Sequence, residues 1–268
     1  MAELETSLKR TDTGTIAPKN TSLLVGELEK ILLQEMPSED ACSWDRTGML
    51  VGNPLEVVRG VAIALDPTIP TIKAAKEAGA NVLVTHHPVF LEAPDSFVPD
   101  VIQGHTPGAV VRFACEQGTS IMSFHTALDV SIGFGQICEP TDGDAEQGIS
   151  LRHLSARCVS VFESLPRVWG SSDRVVNRIV TCGGSAGSLL QECLDQGVEC
   201  LICGEAKYHE ALDASLSGLS IIELGHDVSE FPLCALLAAQ VQAAGIAQNC
   251  ISMIDQKNKW YTPESSRR

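Results

Sequence analysis

The chain has 268 residues, of which 44% are hydrophobic and 20% are charged, a composition typical of a folded protein with one large or two modest domains. Its net charge of −15 and aromatic fraction of 4% predict a surface that repels phosphate backbones and anionic lipids, so nucleic acid and membrane partners are not expected. A small anionic substrate is compatible with this charge only where a strongly positive group overrides it locally.

The two ends of the chain are predicted to be tails. Residues 1–20 are polar and lack the apolar core of a signal peptide, and residues 257–268 are also mostly polar. The longest apolar stretch, 231–247, is interrupted by two glutamines and a glycine, which argues against a membrane span. We therefore expect a cytoplasmic protein.

The ten cysteines are expected to be mostly reduced thiols, as is usual in the cytoplasm. Cys200 and Cys203 form a Cys-x-x-Cys motif, which can be redox-active or bind zinc. The surrounding sequence predicts a strand, on which residues three apart face opposite sides. We therefore expect two buried thiols.

Hydrophobic periodicity predicts alternating helices and strands in the first half of the chain. A helix over 21–36 ends at Pro37. The elements that follow are a strand over 57–65, a helix over 70–80, a strand over 81–85, a helix over 108–118 and a strand over 119–124. This order is typical of a parallel or mixed sheet packed against helices.

The second half repeats the scheme. Its elements are strands over 177–182, 198–203 and 220–224 and helices over 187–197 and 207–218. When Gly79 is set on Gly197, the strands of the two halves align, which indicates an internal repeat. The predicted fold class is therefore α/β, with two pseudo-repeated lobes, each a mixed sheet with flanking helices, that face each other across a cleft. The boundaries are 21–130 for the first lobe, 131–175 for a connector and 176–256 for the second lobe, whose last part can pack back on the first.

Histidines and carboxylates follow the predicted strands. His86 and His87 follow one strand, and His125 and His226 each follow another, with Asp129 and Glu230 four residues later. Ligand sites form at the carboxyl edge of parallel strands, so these side chains are expected to meet there.

Imidazole and carboxylate groups are ligands of Zn, Mn, Fe and Co, and this many of them fits two divalent ions. Ser229 is predicted as the N-cap of a helix that begins at Glu230, whose positive end would keep that carboxylate ionised.

Each motif can also occur without any role in metal binding. His-His-Pro is common in loops, and His-x-x-x-Asp or His-x-x-x-Glu often occurs by chance. We expect His209 on a helix surface or beside the ligands, and His105 and His153 in loops. The glycine-rich segment 182–188 lacks the lysine of a Walker loop, so a tight β–α turn is expected there.

Seven segments together resemble the family named for an Ngg-interacting factor, the NIF-three-like proteins, often labelled GTP cyclohydrolase 1 type 2 homologues. They are WDRTGMLVG (44–52), ALDPT (64–68), THHPVF (85–90), HTALD (125–129), CGGSAGS (182–188), GEAKYHEAL (204–212) and GHDVSE (225–230). The resemblance covers the chain from about residue 21 to 245. It implies two similar α/β lobes around a cleft, a two-metal centre and a homohexameric ring.

The resemblance also implies roles for individual residues. The implied metal ligands are His86, His87, Asp129, His226 and Glu230. His125 is implied to lie close to the metals, and Asp45 and Glu205 match polar positions near the cleft. The chain departs from the family pattern at Ala127, where an asparagine is common, and at Asp227, where an aromatic or uncharged residue is usual.

Two functions are compatible with these features. The first is metal-dependent hydrolysis of a nucleotide or small phosphorylated compound, with His125 or Glu205 as the catalytic group that moves a proton. The second is a non-enzymatic metal-binding or metal-handling protein that acts through a partner. In the second lobe Gly204 and Glu205 occupy the positions of the paired histidines, so we expect His86 and His87 to bind different ions.

Overall fold

The computed structural model describes residues 22–99, 106–133, 135–141, 147–187 and 189–256, which form helices and short strands. The helices are α1 (Val25–Glu35), α2 (Ile69–Glu77), α3 (Pro107–Gln117), α4 (Thr126–Ile132), α5 (Leu151–Phe162), α6 (Leu189–Asp195), α7 (Tyr208–Leu216) and α8 (His226–Ala243). The strands are β1 (Gly48–Val51), β2 (Val61–Ala64), β3 (Val82–Thr85), β4 (Ser120–Ser123), β5 (Gln136–Cys138), β6 (Ile149–Ser150), β7 (Arg167–Trp169), β8 (Val175–Val176), β9 (Ile179–Thr181), β10 (Cys200–Cys203), β11 (Ser220–Glu223) and β12 (Ile251–Met253).

The first lobe is built on a five-stranded sheet in the order β1-β4-β3-β2-β12. Strands β4, β3, β2 and β12 are parallel, and β1 is antiparallel to β4. Alternate residues of a strand point to opposite faces. Val61 and Ile63 of β2 accordingly pack with α1 and α8, whereas Ala62 and Ala64 pack with α2 and α3. Both faces of the sheet are therefore covered, as its uninterrupted apolar strands predict.

The second lobe has the same plan, with strand order β5-β9-β10-β11-β7. The three central strands are parallel and both edge strands are antiparallel. Helices α6 and α7 cover one face of this sheet and α5 the other. Strands β2, β3 and β4 correspond to β9, β10 and β11, which confirms the pseudo-repeat predicted from the sequence.

The division of the chain between the lobes differs from the prediction. Segment 131–175, predicted as a connector, supplies edge strands β5 and β7 and helix α5 to the second lobe. At the other end, α8 and β12 pack back against the first lobe, as the sequence analysis allowed. A parallel three-stranded core leaves unpaired edges and bare apolar faces, and these segments cover them.

Helix starts follow from local sequence. Thr68 precedes α2, and its side chain accepts a hydrogen bond from the Thr71 backbone N–H at 3.2 Å. Thr106 caps α3 in the same way, and Pro107 occupies the first helical position, where no N–H is needed.

In the described ranges, no helix combines the length and the hydropathy that crossing a bilayer requires.

Alkylation should distinguish two classes of cysteine. All ten cysteines lie in the described residues and none forms a disulfide; burial raises the pKa of Cys200 to about 12 and that of Cys203 further. The thiolate is the reactive form, so at pH 8 these two buried groups should resist iodoacetamide while the exposed Cys42, Cys115 and Cys138 react. Peptide mass spectrometry after a brief pulse measures this. Rapid labelling of Cys200 in the native protein would contradict the packing described above.

Candidate metal centre

Histidines that follow strands of both sheets meet where the parallel strands end. His86 and His87 follow β3, His125 follows β4, and His226 lies at the start of α8, after β11. The ring centroids of His86 and His125 are 5.0 Å apart, and those of His87 and His226 are 5.5 Å apart. The cluster thus joins the carboxyl edges of two sheets, as the sequence predicts.

The adjacent histidines reach one site because β3 bends as it ends. The backbone N–H groups of His86 and His87 still bond to Ala64 and Leu65, at 3.2 and 2.9 Å. The Thr85 hydroxyl donates to the His87 carbonyl at 2.7 Å and fixes the turn. His86 is consequently buried and His87 partly buried, with their ring centroids 5.1 Å apart.

The N-terminal ends of helices α4 and α8 carry the other residues of the cluster. His125 is the residue before α4, and Asp129 lies in its first turn. His226 is the first residue of α8, and Glu230 follows one turn later on the same helical face.

The prediction that Ser229 caps a helix beginning at Glu230 is therefore wrong, because α8 begins one turn earlier, after Gly225. The Ser229 hydroxyl instead donates to the His226 carbonyl at 2.8 Å and accepts from the Gly184 N–H at 2.9 Å.

Glu230 occupies the centre of the cluster and is buried. Its Oε2 lies 2.9 Å from His87 Nε2 and 3.2 Å from His226 Nε2, and its Oε1 lies 3.6 Å from His86 Nε2. Burial alone would raise the pKa of this carboxyl, but the three imidazoles outweigh burial and hold the pKa far below its usual value. The side chain is thus a carboxylate whose two oxygens face different histidines.

Each of the four histidines in the cluster has an oxygen partner for its Nδ1 atom. These pairs are His86 with the Phe124 carbonyl at 3.3 Å, His87 with Asp66 at 2.8 Å, His125 with Asp45 at 3.2 Å and His226 with Glu205 at 3.1 Å. When Nδ1–H donates to such an acceptor, the neutral ring keeps its lone pair on Nε2, the atom that can bind a metal. The four rings are therefore oriented as ligands commonly are.

The donor set fits divalent metal ions. The potential ligand atoms of His86, His87 and His125 lie within 4.8 Å of one another, and so do those of His87, His226 and Glu230. His86 Nε2 and Glu230 Oε2 are buried and, among the described residues, make no hydrogen bond of acceptable geometry. Buried polar atoms without a well-formed hydrogen bond are rare in proteins, and a cation beside these two atoms would satisfy both.

The same arrangement attracts protons when no metal is bound. Burial lowers the pKa of His87, but Asp66 and Glu230 together raise it to about 9. Contact with Glu230 raises the pKa of His226 to about 9 against the effect of burial. The carboxylates thus favour positive charge at this point, in the same direction as the net charge of −15.

The other predicted residues lie at the edges of the cluster. Asp129 Oδ1 is 4.0 Å from His86 Nε2, and burial raises the pKa of its carboxyl. Glu205 is exposed and faces His226 Nδ1, a position that orients the ring. Its predicted part in proton transfer stays a prediction, as does that of His125. His209 lies exposed on α7, as expected, whereas His153 is exposed on α5 and not in a loop; His105 lies outside the described residues.

Asp66 has a role that the sequence analysis did not assign. Its carboxylate faces His87, and its backbone is held by Gln256, whose Oε1 accepts from the Leu65 and Asp66 N–H groups at 2.8 and 2.9 Å. Asp66 follows β2, so its place at a strand end was the signal that could have revealed it.

The glycine-rich segment is a support for the centre. Gly184 has φ of +60°, and a Cβ at this position would overlap Glu230 Oε1. Its carbonyl accepts from the Glu205 N–H at 3.0 Å, and Ala186 N–H donates to the Glu205 carbonyl at 2.8 Å. The tight turn expected there therefore lets the backbone approach the acidic centre closely.

Asp66→Asn tests the orientation of His87. An asparagine amide that donates to Nδ1 favours the tautomer with the proton on Nε2, which cannot bind metal. Loss of such an outer partner typically costs about 10–100-fold in metal affinity. We expect a loss of this size in competition titrations with a chromophoric chelator, while Asp95→Asn at an exposed position leaves the affinity unchanged. Equal affinity of both variants would contradict the orienting role.

Fold and site together define a class: a two-lobed α/β protein with a histidine and carboxylate cluster between the lobes that could hold metal. The sequence model of the family described as Duf34/NIF3 (NGG1p interacting factor 3) matches residues 23–137 and 141–259. The chain therefore belongs to the Duf34/NIF3 family, as its motifs predict.

Relatives agree with this assignment. A Streptomyces coelicolor protein named GTP cyclohydrolase 1 type 2 homolog is 28% identical over 237 residues, which cover 76% of this chain and 81% of the relative. The solved structure of Staphylococcus aureus hypothetical protein SA1388 superposes with a TM-score of 0.77 at 20% identity, covering 90% of this chain and 99% of that one. A Bacillus cereus protein related to NIF3 gives a TM-score of 0.73 at 15% identity, with coverage of 90% and 99%. These two structures support the fold.

Proposed function

We propose that this protein holds two divalent metal ions between its lobes and hydrolyses a nucleotide or small phosphorylated compound. The observation that carries the proposal is the convergence of His86, His87 and His226 on the two oxygens of one buried carboxylate, Glu230. A carboxylate with histidines on both oxygens is suited to lie between two ions.

In this proposal the histidines divide between the ions. His86, with Asp129 beside it, would hold one ion, and His87 with His226 would hold the other. Glu230, which is close to all three histidines, would complete the donor set. This division keeps the expectation that the adjacent histidines bind different ions. Zn, Mn, Fe and Co all accept such nitrogen and oxygen donors.

The chain's own residues would prepare the site for an anion. Bound divalent ions supply positive charge and lower the pKa of water at the site toward neutrality. Asp129 and Glu230 offset about two of their roughly four positive charges, so a local excess remains to attract an anionic substrate. Asp45 holds His125 by Nδ1, which leaves Nε2 available to move a proton, and Glu205 at the exposed rim can exchange protons with solvent.

Metal removal should destabilise the protein. A ligand at about 100 times its Kd stabilises the native state by about 2.7 kcal/mol, which corresponds to roughly 5–10 °C in Tm for a chain of this size. We expect EDTA dialysis to lower Tm by about this amount and zinc or manganese to restore it. Scanning fluorimetry measures the shift, and a Tm unaffected by either treatment would count against a metal centre.

Metal content and turnover together test the function. Elemental analysis of the metal-replete protein should give about two ions per chain under this proposal. The loaded protein is then assayed with GTP, other nucleotides and phosphoesters, with His87→Ala as the inactive control. Turnover that is lost in His87→Ala supports a hydrolase. Full metal occupancy without turnover favours the metal-binding alternative, and absence of stoichiometric metal excludes both.

Light scattering on the same sample tests whether the protein forms the homohexameric ring that the resemblance implies.

A further inference from the structure

A cavity of about 460 Å³ opens directly beside the histidine cluster. His87, His125 and His226 contribute to its lining together with Asp66 and Thr68. The volume lies in the lower half of the range of about 300–1,000 Å³ that is typical of small-molecule pockets. Its other walls are six apolar residues of the first lobe: Pro67, Pro88, Val89, Leu91, Pro107 and Val110.

The apolar walls are held in place before any ligand arrives. Three of the six residues are prolines, whose φ angles are fixed. Pro67 and Val89 are buried, and Val110 lies on α3, whose start is capped by Thr106. A cavity with rigid walls binds a matching group without a large ordering cost.

The charge of the lining restricts what can enter. None of its described residues is a lysine or arginine, and Asp66 is an acidic one. Against the apolar wall, away from the histidines, a phosphate or carboxylate would lose hydration and gain no lysine or arginine partner from the lining. An uncharged apolar group would instead gain contact with the proline, valine and leucine side chains.

We propose that this cavity binds the uncharged, apolar part of the substrate while a single anionic or chelating group lies at the metal centre. The substrate class is thus a small molecule with one metal-binding head beside an apolar ring or chain, and its further phosphate groups, where present, lie outside the cavity. This inference rests on the proposed metal centre, since that centre holds the head of the molecule.

Two probes with the same head separate the contributions. Acetohydroxamate and benzohydroxamate chelate metal through the same hydroxamate group and carry a methyl or a phenyl group beside it. On zinc-loaded protein we expect isothermal titration calorimetry to show about tenfold or greater preference for benzohydroxamate, from burial of the ring. Leu91→Arg places a cation in the apolar wall and should reduce this preference to within about twofold. Leu55→Arg, at a leucine that is 79% exposed and does not line the cavity, should retain it.

Metal content measured on the same samples keeps the two proposals distinguishable. Protein without zinc would refute the metal centre itself. Zinc-loaded protein that binds both hydroxamates equally would overturn the cavity assignment and leave the metal centre intact. Full retention of the preference in Leu91→Arg would also overturn it. Because Leu91 is 45% exposed, this variant should fold; circular dichroism checks this, and Leu91→Asn replaces it if it does not.

Discussion

Glu230→Gln is expected to remove most of the bound metal and to destabilise the metal-free protein by about 3 kcal/mol. The glutamine keeps the shape of the side chain but removes the negative charge that His86, His87 and His226 share. Without metal, contact with Glu230 helps raise the pKa of both His87 and His226 to about 9, so the substitution leaves partly buried positive charge with only Asp66 and Glu205 to offset it. The histidines can then release protons, which keeps the cost at the lower end for a broken buried pair.

Elemental analysis and urea unfolding measure the two effects separately. Glu210→Gln, the same change at an exposed carboxylate on α7, is the control and should alter neither quantity. Retention of two ions by Glu230→Gln would show that the carboxylate is not central to metal binding. An unchanged free energy of unfolding in EDTA would show that the histidines do not depend on it.

Gly184→Ala should disrupt the centre although Gly184 offers no side chain to a metal. A Cβ there would overlap Glu230 Oε1 and come within 3.4 Å of His226 Cε1. Because α8 packs firmly on the first lobe, the carboxylate must change its rotamer, which moves both oxygens away from the histidines. We expect a loss of about 1–3 kcal/mol in stability and of at least about tenfold in metal affinity.

Gly187→Ala is a closely matched control in the same loop. Gly184 and Gly187 have φ of +60° and +48°, so alanine meets a similar backbone cost at both. Nothing lies within 4 Å of a Cβ at Gly187. Gly187→Ala should therefore lose some stability but keep its metal. If both variants lose metal equally, the effect arises from the backbone and not from contact with Glu230.

The histidines of the centre could be predicted from the sequence because they follow recognisable strands. Parallel strands bring their carboxyl ends together, so the sequence predicts that His86, His87 and His125 lie close together, and their rings do. The partners of their Nδ1 atoms could not be derived in this way. The role of Asp66 depends on how β2 ends beside β3, and on Gln256, which reaches it from the far end of the chain.

The limits of the fold prediction have a similar cause. The repeated core strands have strong apolar patterns, whereas β5, β7 and β12 have three residues each and show no usable periodicity. The pairing of β12 with β2 joins Ile251 to Val61, a contact that local sequence does not encode. The start of α8 was misplaced because the Ser229 hydroxyl, which resembles an N-cap in sequence, bonds inside the helix.

The return of α8 and β12 to the first lobe has a consequence for synthesis on the ribosome. Strand β2 lacks its outer neighbour, and α1 lacks the helix it packs beside, until residues 226–253 have been made. The strands and covering helices of the second lobe all lie between 136 and 223, so this lobe can fold while the chain is still attached to the ribosome. Long-range pairings of this kind form slowly, so the lobe made first finishes last. The histidine cluster, which includes His226 and Glu230 of α8, is then completed only late in translation.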